Sequence, residues 1–327
     1  MRPFSYVMVK DLDSALRAGA PEGAKFLGGG TNLLDLMKGG VETPAQLVDV
    51  SRLPLAEILA LPDGGLRIGA AARNSDAAAH PLLRERYALL ASALESGASQ
   101  QLRNMATVGG NLLQRTRCHY FYDTAFPECN KRTPGSGCAA REGHNRMHAI
   151  LGASERCIAV HPSDMAVALA ALDAVVQVRA SQGERGIPMS EFHRLPGETP
   201  QRDTNLEHGE LIVAVDLPAA RFEKSHYLKI RDRASYAFAL VSVAALLRMD
   251  GDRIAEARLA LGGVAHKPWR AHEAERMLRG LRLDAAQLRP AAEAALEGAR
   301  SYPGNAFKVE LAKRAVVRAI LSAGETA

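Results

Sequence analysis

All four cysteines of this 327-residue chain, Cys118, Cys129, Cys138 and Cys157, fall in one irregular segment. Four soft thiolates gathered this way are what an iron–sulfur cluster or a structural zinc requires. The intervals between them, ten, eight and eighteen residues, match neither the bacterial nor the plant-type ferredoxin pattern. They also lack the Cys-x-x-Cys pair usual in zinc sites. Wide spacing suits a cluster wrapped by a long loop. Arg115, Arg117, Lys131, Arg132, Arg141, Arg146 and Arg156 surround the cysteines in sequence. Together they would offset the negative charge of a ligated cluster and favour its reduced form, although each alone reads as a solvated loop charge. His119, His144, His148 and His161 lie nearby. With four thiolates available, a structural role suits them better than ligation.

Two glycine turns form the second candidate. Lys25, Phe26, Leu27, Gly28, Gly29, Gly30, Thr31, Asn32 and Leu33 run from a strand-like stretch into a helical one. Glycines let backbone N–H groups converge on a phosphate without Cβ obstruction, and a following helix start adds positive potential. No Gly-Lys-Ser/Thr follows, so this is not a Walker loop, and Leu33 stands where a dinucleotide fingerprint has its third glycine. A plain strand-to-helix turn stays open as an alternative. Thr107-Val108-Gly109-Gly110-Asn111 repeats the theme just before the cysteines. Alone it reads as a turn. Paired with the first, it suits a ligand with two phosphates gripped from two sides. No nucleophile–base set is evident, since Ser235 and Ser242 lack a Gly-x-Ser-x-Gly elbow.

The elements that must position these residues fall into three units. In residues 1 to about 60, Lys25–Leu27 and Gln46–Val50 read as strands flanking a helix over Thr31–Lys38. Residues 54–62, between two prolines, mark a boundary. A second unit, 61–220, has strands at Leu66–Ala71, Val175–Arg179 and Glu210–Leu217. Its helices are a short one capped by Ser75 and Asp76, a longer one over Leu82–Leu94 and one over Met165–Leu172, opened by Pro162-Ser163-Asp164. The stretch 114–160, dense in Gly, Pro, Arg and Cys, is too long to be structureless without a purpose. The third unit, 221–327, has strands at Tyr227–Arg231, 238–249 and Arg253–Leu261, the last two joined through Asp250-Gly251. Helices follow over 270–281, 284–299 and 306–323. Strands followed by helices predict an α+β third unit. The run 238–249 is Ala/Leu-rich enough to read as a helix as well.

Composition narrows the function. A net charge of +5 with cations scattered among acids argues against a nucleic-acid partner. No apolar run reaches the length of a membrane span; the longest, Ala237 to Leu247, is broken by Ser242. Disulfides are disfavoured in a chain of this size with no secretory pattern at Met1-Arg2-Pro3-Phe4-Ser5-Tyr6. Passage across a membrane is therefore expected only with a signal-bearing partner.

These residues resemble the FAD-binding subunits of the molybdenum hydroxylases, the group of xanthine dehydrogenase, carbon monoxide dehydrogenase and aldehyde oxidoreductase. The likeness covers essentially the full chain. The runs Asn111-Leu112-Leu113-Gln114-Arg115-Thr116-Arg117-Cys118 and Arg231-Asp232-Arg233-Ala234-Ser235-Tyr236-Ala237-Phe238 are similar to those of flavin subunits of bacterial three-subunit periplasmic aldehyde oxidoreductases. A second kind with a related cysteine insertion is 4-hydroxybenzoyl-CoA reductase, and a xanthine dehydrogenase type is the wider alternative. The resemblance implies a two-lobed α/β FAD-binding domain of the PCMH/vanillyl-alcohol-oxidase type. A C-terminal α+β domain of three-stranded sheet and helices follows. It implies FAD held by Lys25 through Leu33 and by Thr107, Gly109, Gly110 and Asn111. Asp164, Lys229 and Ile230 would lie near its ring. It implies a 4Fe–4S cluster on Cys118, Cys129, Cys138 and Cys157. A 2Fe–2S cluster demands four thiolates of its own, so those clusters and the molybdenum centre would lie on a 2Fe–2S subunit and a large molybdenum-cofactor subunit. An aldehyde would be oxidised there, and this chain would pass the electrons to an external acceptor. Delivery to the periplasm with a twin-arginine-bearing partner is implied, with the cytoplasm as the alternative.

Overall fold

The computed structural model describes residues 1–325, so the last two residues of the expected third unit lie outside the described residues. Among the described residues twelve strands build three sheets: β1 (Ser5–Met8), β2 (Ala24–Leu27), β3 (Gln46–Asp49), β4 (Ile58–Ala60), β5 (Leu66–Gly69), β6 (Val175–Ala180), β7 (Gly183–Pro188), β8 (Leu211–Leu217), β9 (Lys224–Ile230), β10 (Val241–Asp250), β11 (Arg253–Gly262) and β12 (Trp269–Arg270). The first sheet is parallel, in the order β1-β3-β2. Parallel neighbours need crossovers, and the helices Leu12–Gly19 and Leu33–Lys38 supply them. Asp11 starts the first crossover by accepting from the Ser14 N–H at 2.7 Å.

The second sheet is antiparallel, β4-β5-β8-β6-β7, and the third is antiparallel, β12-β11-β10-β9. The three-stranded C-terminal sheet expected from the sequence therefore has a fourth strand. Its two residues, Trp269 and Arg270, are too few for any period to show. The segment expected as a boundary at 54–62 contains β4, which pairs with β5.

Both faces of the third sheet are covered. Val241, Val243, Ala245 and Leu247 face a core shared with the helices His272–Leu278, Ala285–Ala294 and Phe307–Glu325. Ala244 and Leu246 face the core of the second unit. A strand buried on both sides reads as a continuous apolar run, which is why 238–249 also read as a helix. The helix Asp164–Ala171 is buried on every side, and its side chains belong to the core that joins the second sheet to the third. The segment 114–160 stays irregular apart from one helical turn at His119–Tyr122 and isolated bridges such as Cys129 with Cys138.

Candidate functional site

The first glycine turn leaves β2 and borders a cavity of about 570 Å³. All of Lys25 through Leu33 line it, with Thr107, Gly109 and Gly110 opposite. Among the described residues, no backbone N–H from Gly28 to Leu33 has a hydrogen-bond partner, whereas Leu34 and Leu36 resume helical bonds to Gly30 and Asn32. A run of free N–H groups beside a cavity is a strong demand for an anion. Packing imposes the glycines. A Cβ on Gly29 would stand 1.8 Å from the Met105 carbonyl oxygen and one on Gly28 would stand 2.8 Å from Thr107 Oγ1. Gly30 takes a φ of 73°, where glycine carries no Cβ penalty.

The second glycine turn has most of its backbone N–H groups committed. Val108 N–H donates to the Ala72 carbonyl, Gly109 to that of Ala70, and Asn111 to that of Thr107. Gly110 N–H goes to Thr107 Oγ1 at 3.1 Å. The N–H groups of Val108 through Asn111 are therefore committed to the fold, and this turn shapes the cavity wall. Asn111 Oδ1 accepts from Ser163 Oγ at 2.7 Å and ties the turn to the helix Asp164–Ala171. Asn32 is likewise occupied: its Nδ2 donates to the Tyr122 hydroxyl at 3.0 Å and its Oδ1 accepts from Arg115 N–H at 2.9 Å.

A second cavity, of about 370 Å³, lies beyond Tyr122 and is lined by Cys118, His148, Ser163, Asp164 and Phe238 among others. The Arg117 guanidinium lies 4.7 Å from the centres of both the Tyr122 and Phe238 rings, so a cation stacked between aromatics forms part of its wall. Asp164 meets Lys229 Nζ at 2.8 Å and accepts from the Tyr227 hydroxyl at 2.7 Å, all three being buried or nearly so. Asp164 and Lys229 are thus brought together as an ion pair at the edge of this cavity. Ile230 packs against the C-terminal core.

The four cysteines also come together. They share one small pocket with Lys131, Phe121 and Ile158, and none is in a disulfide. Burial pushes the thiols of Cys118 and Cys157 up to about 12 and about 11. They would ionise only where a metal takes the proton's place. Among the described residues no three His, Cys, Asp or Glu side chains gather as a single ion needs. Four thiols around one pocket are the soft donor set that an iron–sulfur cluster or a zinc would require.

One feature escaped the sequence. Glu42, Arg115, Asp203 and Lys131 form a chain of ion pairs running from the first cavity to the cysteine pocket, and Lys25 joins at Glu42. Lys131 is fully buried and also contacts His266 Nε2 at 2.9 Å. Burial would raise the Asp203 carboxyl, but Lys131 and Arg115 hold it well below the usual carboxylate range. Asp203 pairs across 88 and 72 positions with Arg115 and Lys131, and no local spacing signals such contacts.

Comparison with known proteins agrees with this site. Residues 2–220 match the family described as the FAD binding domain in molybdopterin dehydrogenase, and residues 226–323 match the CO dehydrogenase flavoprotein C-terminal domain. The chain is 53% identical to the aldehyde oxidoreductase FAD-binding subunit PaoB of Escherichia coli, over 99% of both. It is 28% identical to the glyceraldehyde dehydrogenase medium chain of Sulfolobus acidocaldarius, over 86% of this chain and 83% of that one. Among solved structures, quinoline 2-oxidoreductase from Pseudomonas putida 86 superposes with a TM-score of 0.77 at 27% identity, covering 99% of this chain and 98% of that one.

Proposed function

This chain belongs to the FAD-binding subunits of the molybdenum hydroxylases, a family of oxidoreductase subunits, and we propose that it is the FAD- and 4Fe–4S-containing electron-transfer subunit of a heterotrimeric aldehyde dehydrogenase. Support for the aldehyde comes from the 53% identity to an aldehyde oxidoreductase subunit over nearly the whole chain. A 2Fe–2S subunit and a large molybdenum-cofactor subunit would be the partners, because this chain has one set of four cysteines and each further cluster needs its own. Delivery to the periplasm would follow from co-export with a signal-bearing partner. No helix among the described residues is long and apolar enough to cross a membrane. The same reading divides the chain into FAD-binding lobes at 1–60 and 61–220, the cysteine insertion at about 114–160, and a C-terminal unit from 221, with β4 (Ile58–Ala60) pairing into the sheet of the second lobe.

The observation that carries the flavin assignment is the free N–H run from Gly28 to Leu33. Those groups would hold the pyrophosphate, with Lys25 adding positive charge at the cavity. Thr107, Gly109 and Gly110 would shape the facing wall, and the second cavity, edged by Asp164, would take the ring. Bound there, FAD supplies a centre that accepts electrons and passes them on, and the protein sets its position and potential. Cys118, Cys129, Cys138 and Cys157 would hold the cluster, which supplies one-electron capacity.

Ligand titration tests the pyrophosphate role. Flavin-depleted protein is titrated with FAD and with riboflavin, which lacks phosphates. Several charge-assisted hydrogen bonds at 1.5–3 kcal/mol each predict FAD tighter by at least about a hundredfold. Equal affinities would remove the role given to Gly28–Leu33.

A further inference from the structure

Cys118 lines two spaces at once: the pocket shared by the four cysteines and the second cavity beside it. On the cavity side an imidazole reaches its sulfur. His148 Nε2 lies 3.2 Å from Cys118 Sγ, and His148 borders the same cavity. The residue is buried, and its other ring nitrogen, Nδ1, has no partner. The sulfur is therefore the hydrogen-bond partner at Nε2, while the Asn145 backbone and the charges of Lys308, His119 and His144 also act on this ring.

The C-terminal unit fixes where that ring sits. The His148 carbonyl oxygen accepts from Lys308 Nζ at 2.9 Å and from Asn305 Nδ2 at 3.1 Å. Both residues are fully buried at the start of the helix Phe307–Glu325. Lys308 also donates to the Gly263 carbonyl. A buried lysine and a buried amide thus brace one backbone carbonyl, about 160 positions away in sequence, and with it the contact to the sulfur.

A thiolate that ligates iron has no hydrogen to give. The contact is then a hydrogen bond only in the tautomer with Nε2 as donor. Reduction of a cluster adds negative charge that spreads onto its sulfurs, and a donor aimed at one of them stabilises the reduced form. We propose that His148 is a positioning residue that donates Nε2–H to the Cys118 sulfur and raises the reduction potential of the cluster. This rests on the 4Fe–4S reading of the preceding subsection.

The test is a redox titration of the assembled complex followed by the paramagnetic signal of the reduced 4Fe–4S cluster. His148→Phe fills the space without a donor, and His148→Gln returns an N–H. The midpoint is expected to move to a more negative potential in the phenylalanine variant and to return most of the way in the glutamine variant. An unchanged midpoint in His148→Phe at full iron content overturns the proposal, as does a glutamine variant that behaves like phenylalanine. Should His148→Phe lose its cluster, the unaltered protein decides. With nitrogen-15 in its histidines, pulsed resonance of the reduced cluster is expected to show a histidine nitrogen coupling, and its absence overturns the assignment. Unaltered protein with no 4Fe–4S signal would overturn the cluster reading itself and this proposal with it. Cluster present with an insensitive midpoint would overturn the His148 role alone.

Discussion

At the scale of single residues, the chain holds its polar groups by burial and pairing over long sequence distances. His161 and His193 stack with ring centres 4.1 Å apart, and His193 Nε2 meets the Leu112 carbonyl at 2.8 Å. Burial holds His193 down to about 4 and His266 to about 3, and pushes His161 well below its ordinary value. In the unfolded chain these groups return to the ordinary 6.5. Between about pH 4 and 6.5 the unfolded chain therefore binds more protons than the folded one. Stability must rise with pH across that window and be lost as pH falls through it. Each histidine contributes a slope of up to ~1.4 kcal/mol per pH unit. Thermal unfolding followed from about pH 7.5 to about 4.5 is expected to show a midpoint that drops steeply below ~6.5. A flat profile would contradict the buried neutral histidines.

At the scale of elements, the joint between β9 and the helix Asp164–Ala171 is the informative one. Lys229 and Asp164 face each other there with side chains only 4% and 6% exposed. Removing one partner of such a pair strands a buried charge and costs about 3–5 kcal/mol. Urea unfolding of Asp164→Ala and of Lys229→Met is expected to show losses of that size. The double variant should lose clearly less than the two together. Additive losses would mean the two groups do not depend on each other. How much of this architecture the sequence discloses depends on where the information lies. The parallel pairing of β2 with β3 follows from strand, glycine turn and helix in succession, and the free N–H run lies in that turn. β7 was missed because Gly-Glu-Arg-Gly has no alternation and the strand is an exposed edge. The helix expected over Leu82–Leu94 breaks at Tyr87, whose φ of −136° and ψ of 47° separate Pro81–Arg86 from Ala88–Ser96. The four cysteines were legible because their type is rare and their chemistry narrow. Asp203 was not, because an ordinary acid acquires its role only from partners the fold brings to it.

At the scale of the whole molecule, three sheets converge on one polar seam. The first cavity lies between the parallel sheet and the second unit, the second cavity lies between the second and third units, and the cysteine loop closes both. Ion pairs from Glu42 through Arg115 and Asp203 to Lys131 stitch this seam. On the proposed function, this seam would keep two redox groups at fixed separation and leave substrate chemistry to a partner. Quantitative analysis of flavin, iron, acid-labile sulfide and zinc in anaerobically purified protein tests that claim most directly. The account predicts one FAD with about four iron and four sulfide per chain and no zinc. Flavin-replete protein carrying zinc in place of iron, or protein with neither flavin nor iron, would contradict it.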